Sequence, residues 1–168
     1  MARHGASGAR HGGGTPATVT LDAAGISYDV RAYEHDPTAQ SYGLEAAEAL
    51  GVEPGRVFKT LLVDLDGGAL AVGIVPVDRQ LDLKALAAAL GAKKATMAEP
   101  KVAERVTGYV VGGISPIGQR RTLPAVLDDS AAGFETMLVS GGKRGMDLEL
   151  SPEDLLEVTG ASLALISR

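Results

Sequence analysis

The stretch VFKTLLVDLDGGALAVGIVP, residues 57–76, decides the fold class of this 168-residue chain. Two apolar runs flank Asp66-Gly67-Gly68, and a short glycine-containing connection between such runs is typical of a β-hairpin. A hairpin is antiparallel, whereas a doubly wound fold alternates strands with helices to build a parallel sheet. We therefore expect an α/β (α+β) fold, in which a mixed, largely antiparallel sheet is flanked by helices in a single domain.

Helix and strand patterns continue on both sides of the hairpin. Thr15-Pro16 and Ser151-Pro152 are typical helix starts, because a hydroxyl residue caps the helix and proline fits its first turn. The patterns predict helices over 15–24, 41–50, 81–90 and 98–105 and after Ser151, and strands over 27–33, 109–111, 123–129, 134–140 and 161–167. Residues 1–14 are glycine-rich and lack periodicity, so we expect a flexible N-terminal extension before the domain of residues 15–168.

The composition excludes several classes of function. Cysteine is absent, which excludes disulfides, thiolate metal sites and a cysteine nucleophile. No apolar run reaches the roughly 18 residues of a spanning helix, and no signal-peptide core is present, so we expect a cytoplasmic protein without a membrane partner. A net charge of −5 argues against bulk binding of nucleic acid. Basic pairs such as Arg120-Arg121 have two possible interpretations, a local phosphate-binding patch or ordinary solvated surface.

The glycine-rich stretch YVVGGISPIGQRRTLP, residues 109–124, is a candidate ligand loop. Gly113 and Gly118 match the front half of a P-loop, but Gln119 and Arg120 stand where that motif requires Lys and Ser or Thr. The lysine and the hydroxyl supply the phosphate and magnesium contacts, so nucleotide hydrolysis is not expected. No G-x-G-x-x-G follows a strand, and dinucleotide binding therefore has no support.

The sequence offers too few suitable residues for a metal site or a Ser-His-Asp catalytic triad. His35 is the only histidine in the part of the chain expected to fold. In an extended segment, consecutive side chains point to opposite sides, so Glu34, His35 and Asp36 cannot all bind one ion. We expect no metal ion, and we favour a structural or hydrogen-bonding role for His35 over a role as catalytic base.

Several polar residues interrupt otherwise apolar segments, and Lys59 is the most informative. A lysine between Phe58 and Leu61 in a strand with a core-like pattern must either face a site or reach solvent from an edge strand. Two glycine-rich loops, at 112–118 and 140–145, offer backbone N–H groups for an anion or oxyanion, although such glycines are more often plain turn residues.

Five separated strings together resemble the YbaK-type cysteinyl-tRNA(Pro) deacylase family. They are YEHDP (33–37), VFKTLLV (57–63), QLDLK with ALGAKK (80–94), TGYVVGGISPIGQ (107–119) and VSGGKRGMDLEL (139–150), in this order. The resemblance covers residues 16–167, so only the glycine-rich N-terminal residues fall outside it. Agreement in five segments is more specific than any single short motif.

The resemblance implies a fold like the editing insertion of bacterial prolyl-tRNA synthetase, with a β-barrel-like sheet. It also implies hydrolysis of the ester joining cysteine to the terminal ribose of tRNA(Pro), assisted by the substrate's own thiol and without a cofactor. The implied partners are the acceptor end of tRNA(Pro) and, transiently, prolyl-tRNA synthetase. The family's functional residues correspond to catalytic Lys59, Gly112 and Gly113, and to substrate-binding Tyr33, Ile114, Ser115, Pro116 and Asp147.

These residues suit an ester that is already activated, because orientation and well-placed N–H donors are enough to promote its hydrolysis. We expect the amides of Gly112 and Gly113 to face the ester oxygen, and Lys59 to pair with the terminal phosphate of the tRNA. Two alternatives remain open at this point. One is a deacylase for another amino acid, such as alanine, and the other is a non-catalytic module that binds a nucleotide or the end of a tRNA.

Overall fold

A computed structural model describes residues 14–168 of the chain. These residues form five α-helices: α1 (Pro16–Ala24), α2 (Tyr42–Leu50), α3 (Leu83–Ala89), α4 (Pro100–Thr107) and α5 (Pro152–Thr159). They also form eight strands: β1 (Asp29–Ala32), β2 (Phe58–Leu65), β3 (Ala69–Pro76), β4 (Ala95–Met97), β5 (Ala125–Asp128), β6 (Met137–Lys143), β7 (Met146–Leu150) and β8 (Ser162–Ala164). Over this part of the chain, no helix combines the length and apolar character needed to cross a membrane.

The strands form two sheets that meet beside β2. The larger sheet has the order β4-β2-β3-β5-β8, in which β5 and β8 run parallel to β3 and the other pairs are antiparallel. The smaller sheet, β1-β7-β6, is antiparallel throughout. The mixed, largely antiparallel α/β fold is thus confirmed. The described strands do not close into a barrel. They form two separate sheets, and an isolated bridge between Val57 and Leu138 joins one sheet to the other.

The predicted hairpin is present as β2 and β3, paired from Phe58 opposite Pro76 to Leu65 opposite Ala69. Its turn requires left-handed backbone, with φ of 53° at Asp66 and 80° at Gly67. Asp66 tolerates this conformation because its carboxylate accepts hydrogen bonds from the backbone N–H groups of Lys93 and Lys94. The same contacts anchor the segment that leads into β4.

The predicted helix starts are also confirmed. The Thr15 hydroxyl accepts from the Thr18 N–H at the start of α1, and the Ser151 hydroxyl accepts from the Asp154 N–H at the start of α5. Such caps satisfy N–H groups that have no partner inside the helix, and each contributes about 1 kcal/mol. Gly25 ends α1 in the left-handed conformation, with φ of 71°.

Two predicted segments have a different conformation, and two strands are additional to the prediction. Residues 109–111 are a loop rather than a strand, because the N–H of Val111 bonds to the Glu104 carboxylate and the buried Tyr109 hydroxyl donates to the Ile117 carbonyl. Residues 140–145 are mostly a hairpin rather than a loop: β6 extends to Lys143, and the chain turns at Arg144-Gly145. Strands β4 and β7 were not predicted.

The core lies on both faces of the larger sheet. One cluster includes Phe58, Ile74 and Leu148, so it joins the larger sheet to the smaller one. A second cluster packs Leu86 of α3 against Val75 on the opposite face of the larger sheet. Full burial of each large aliphatic side chain contributes about 1.5–3 kcal/mol, so these clusters hold β2 rigidly between them.

Candidate active site

A cavity of about 390 Å³ opens where β2 passes between the two sheets. Its volume falls within the usual range for small-ligand sites. Its walls come from β2, the first turn of α2, the loop before β5, the start of α4, and the β6–β7 hairpin. Five of the eight predicted site residues line it: Tyr33, Lys59, Gly112, Ile114 and Asp147.

The cavity lies beside the part of β2 between Val57 and Val63, whose outer edge pairs with no described strand. On its outer edge, β2 bridges to Leu138 at Val57 and pairs with β4 from Val63 onward. Strand residues alternate in the direction of their N–H and C=O groups, and the Leu62 carbonyl points outward to the Ala98 N–H. The backbone of Thr60, two residues earlier, therefore points outward from this unpaired edge. Its buried hydroxyl also has no hydrogen-bond partner among the described residues.

Lys59 is half-buried in the cavity wall. No carboxylate of the described residues lies within ion-pair distance of its ammonium group, since the only lysine or arginine ion pairs of that part of the chain involve Arg31 and Arg56. Burial lowers the pKa of Lys59, and the more distant charge of Asp78 opposes this effect only in part. A desolvated and unpaired ammonium group in a cavity is suited to binding an anionic part of a ligand.

Asp147 is 6% exposed and lies on β7, directly opposite Arg31 of β1 and Ser140 of β6. Its neighbours Met146 and Leu148 belong to the hydrophobic core, so the alternation of the strand directs Asp147 to the other face. Burial raises the pKa of Asp147 to about 7, and the charge of Arg31 opposes the rise only in part. This carboxyl group therefore changes protonation near neutral pH.

Tyr33 stands beside Asp147 in the same cavity. Its backbone N–H donates to the Gly145 carbonyl at 2.9 Å, which fixes the segment after β1 against the β6–β7 turn. Burial raises the pKa of its phenol, and the negative charge of Asp147 adds to the rise. The Tyr33 hydroxyl is thus neutral at physiological pH and can act as a hydrogen-bond donor.

The two catalytic glycines predicted from sequence have different surroundings. Gly112 lines the cavity with a φ of 90°, and its N–H makes no hydrogen bond to a described residue. Gly113 does not line the cavity, and its N–H donates to the Val110 carbonyl at 2.8 Å. A Cβ atom on Gly113 would come within 2.7 Å of the Lys143 Cα. Gly113 therefore permits close packing of the loop on the hairpin, and of the two glycines only Gly112 has an N–H without a hydrogen-bond partner among the described residues.

The remaining loop residues lie at different depths. Ile114 lines the cavity, whereas Ser115 is fully buried outside it and accepts a hydrogen bond from the Ile117 N–H through its hydroxyl. Pro116 lines a separate, smaller cavity together with Gln119. In this conformation Ser115 and Pro116 shape the loop and do not contact the main cavity.

The structure adds Tyr42, Thr60 and Ser140 to the cavity wall. Ser140 faces Asp147 across the β6–β7 pair, so recognition of that hairpin in the sequence would have identified it. Thr60 carries a weaker signal, as a hydroxyl residue within an apolar strand pattern. Tyr42 has no local signal, because an aromatic residue at the start of a helix is equally compatible with the core.

His35 occupies a structural position beside the cavity. Its Nδ1 atom lies 2.9 Å from the Glu45 carboxylate, and its ring centroid is 5.8 Å from that of Tyr42. The predicted hydrogen bond of His35 is present, and the ring contact supports one side of Tyr42.

Comparison with known proteins is decisive for the family. The model of the family described as "Aminoacyl-tRNA editing domain" matches residues 36–158. The chain belongs to this family. Its membership confirms the YbaK-type resemblance and the assignment as an aminoacyl-tRNA deacylase.

Three individual similarities accompany the family match. EbsC of Enterococcus faecalis, provisionally named a Cys-tRNA(Pro)/Cys-tRNA(Cys) deacylase, is 44% identical over 121 residues, which are 72% of this chain and 74% of EbsC. The multifunctional Ser/Thr-tRNA deacylase ProXp-y of Escherichia coli K12 is 25% identical over 144 residues, covering 83% and 85% of the two chains. A crystal structure provisionally described as a trans-editing enzyme for prolyl-tRNA synthetase has a TM-score of 0.79 and 27% identity, covering 91% and 95%.

Proposed function

We propose that this editing domain hydrolyses mischarged cysteinyl-tRNA(Pro), releasing free cysteine and tRNA(Pro). The observation that carries the proposal is that Lys59, Gly112 and Asp147 line one cavity in a chain without cysteine. This set of groups can bind and polarise an ester but includes no thiol nucleophile. The similarity to EbsC supports the choice of cysteine, whose own thiol would supply the nucleophile.

In the proposed mechanism, the thiol of the bound cysteine attacks its ester carbonyl carbon. The carbon–sulfur bond forms, the bond to the ribose oxygen breaks, and that oxygen leaves with a proton; water then opens the thioester to give free cysteine. Negative charge develops on the carbonyl oxygen, and in this mechanism the Gly112 N–H donates a hydrogen bond to it. Lys59 pairs with the terminal phosphate, Tyr33 shapes the amino-acid pocket with Ile114, and Asp147 meets the amino group of the substrate.

Selection of tRNA needs a further source of affinity. With a net charge of −5, the chain attracts the phosphates of a tRNA weakly outside its cavity. We propose that it recognises the acceptor end in the cytoplasm, where charged tRNA is used, and associates transiently with prolyl-tRNA synthetase. Such association would raise the local concentration of the mischarged product.

The synthetase partnership predicts a faster reaction in its presence. At subsaturating substrate, adding prolyl-tRNA synthetase should increase the rate of Cys-tRNA(Pro) deacylation several-fold and retain the domain in a pull-down. A synthetase for another amino acid, matched in concentration, is the control. Equal rates with and without prolyl-tRNA synthetase would contradict the partnership but not the deacylase activity.

A substrate panel tests the reaction itself. We expect rapid release of the amino acid from Cys-tRNA(Pro) and no release from Pro-tRNA(Pro), with Ala-tRNA(Pro) and Ser-tRNA(Pro) as competing substrates. Faster hydrolysis of the alanyl or seryl ester would instead support a deacylase of different selectivity, as the similarity to ProXp-y suggests for serine. Tight binding of tRNA without hydrolysis of any ester would identify a binding module.

A further inference from the structure

Arg144 stands at the turn between β6 and β7 and clamps the glycine loop from outside the cavity. Its Nε and Nη2 atoms donate to the same acceptor, the Val111 carbonyl oxygen, at 2.9 and 2.7 Å. Its guanidinium carbon lies 4.9 Å from the centroid of the Tyr42 ring, within the range of a cation–π contact. The side chain is exposed and does not line the cavity, so these contacts account for its position.

The Val111 carbonyl and the Gly112 N–H belong to the same peptide group. In a planar trans peptide these two groups point in opposite directions. When Arg144 holds the carbonyl toward the hairpin, the Gly112 N–H points the opposite way within the same peptide plane, away from Arg144. Arg144, which lies outside the cavity, therefore sets the direction of the Gly112 N–H, and this N–H has no hydrogen-bond partner among the described residues.

Glycine at position 112 makes this orientation both accessible and reversible. Its φ of 90° is disfavoured for other residues, and a Cβ atom there would lie 2.8 Å from Arg144 Nε and 3.0 Å from the Tyr42 ring. Glycine also tolerates the alternative backbone angles that rotation of the Val111–Gly112 peptide would require. The two guanidinium hydrogen bonds supply the preference for one orientation.

We propose that Arg144 is a positioning residue for deacylation, because it orients the Gly112 N–H toward the ester oxygen by clamping the Val111–Gly112 peptide. This inference rests on the proposed function. A lysine at this position would keep the charge but lose the planar fork that donates twice to one oxygen and stacks on Tyr42. The role therefore depends on geometry more than on charge.

The test compares Arg144→Gln and Arg144→Lys with Lys143→Gln, a neighbouring exposed basic residue. Lys143→Gln removes the same charge as Arg144→Gln but leaves the clamp. We expect both Arg144 variants to lower steady-state kcat at least tenfold with little change in KM, and Lys143→Gln to keep kcat within twofold. A wild-type kcat for Arg144→Lys would overturn the inference, as would equal increases in KM for both glutamine variants, which indicate charge attraction alone.

Hydrogen exchange provides a readout that does not depend on catalysis. In a peptide covering residues 109–118, the Arg144 variants should exchange faster than the wild type and Lys143→Gln, while the peptides of β2 and β3 remain unchanged. Unaltered exchange in 109–118 would overturn the clamp even if activity falls. If the wild type hydrolyses no aminoacyl-tRNA, the proposed function fails, and this measurement still decides whether Arg144 holds the loop.

Discussion

Replacement of Lys59 with methionine is expected to lower kcat/KM for deacylation at least about 100-fold, equivalent to about 2.7 kcal/mol of transition-state stabilisation. The ammonium group is desolvated and lacks an ion-pair partner among the described residues, so its favourable electrostatic interaction would come from the bound tRNA end. Single-turnover deacylation of Cys-tRNA(Pro) measures the loss.

The same substitution should not destabilise the fold. Burial of an unpaired charge is unfavourable, and methionine retains most of the apolar stem of lysine, so the midpoint of denaturant unfolding should stay equal or rise. Lys84→Met, on the exposed face of α3, is the matched control and should change neither property. Normal turnover by Lys59→Met would exclude Lys59 from the reaction. Loss of turnover together with a large fall in stability would indicate a structural lysine instead.

The sequence predicted those elements whose signals are local. The β2–β3 hairpin follows from two apolar runs around a glycine turn, and α1 and α5 follow from their caps. Strand β4 was missed because it has only three residues, which are too few to show alternation. The β6–β7 hairpin was missed because Gly141 and Gly142, which interrupt its pattern, suggested a loop, whereas the structure has an irregular register between Ser140 and Lys143.

The site was predictable to a smaller extent, and mostly through the family resemblance. Local pattern singled out Lys59, since a lysine in an apolar strand requires an explanation. The resemblance supplied Asp147 and the glycine loop, but a string of letters cannot show that Ser115 faces inward while Ile114 faces the cavity. Contacts such as Arg144 with Val111 join residues 33 positions apart, so they depend on tertiary structure and leave no periodic signal.

Asp147→Asn is expected to remove a pH dependence from deacylation. If the carboxylate meets the amino group of the substrate, the wild-type kcat/KM should rise as the pH increases through about 7, the pKa of Asp147, and level off above it. The asparagine variant should be at least about 10-fold less active at pH 8 and should lack the rise in kcat/KM that ionisation of Asp147 gives the wild type. Asp129→Asn, an exposed carboxylate outside the cavity, should keep the wild-type profile.

The free energy of unfolding should also depend on the ionisation of Asp147. It should decrease with rising pH, whereas the activity increases. The pKa of Asp147 is raised from 3.8 in the unfolded chain to about 7 in the folded protein, so the folded state binds the proton more tightly. Wild-type stability should therefore fall as the pH rises from about 4 to about 7, by up to about 4 kcal/mol at 1.36 kcal/mol per pH unit. Asp147→Asn lacks this loss and should be the more stable protein at pH 8 in urea unfolding. A variant that is less active and also less stable at pH 8 would show that the carboxylate holds the fold together. A less active but more stable variant would show that the fold tolerates an unfavourable buried charge because the reaction uses it.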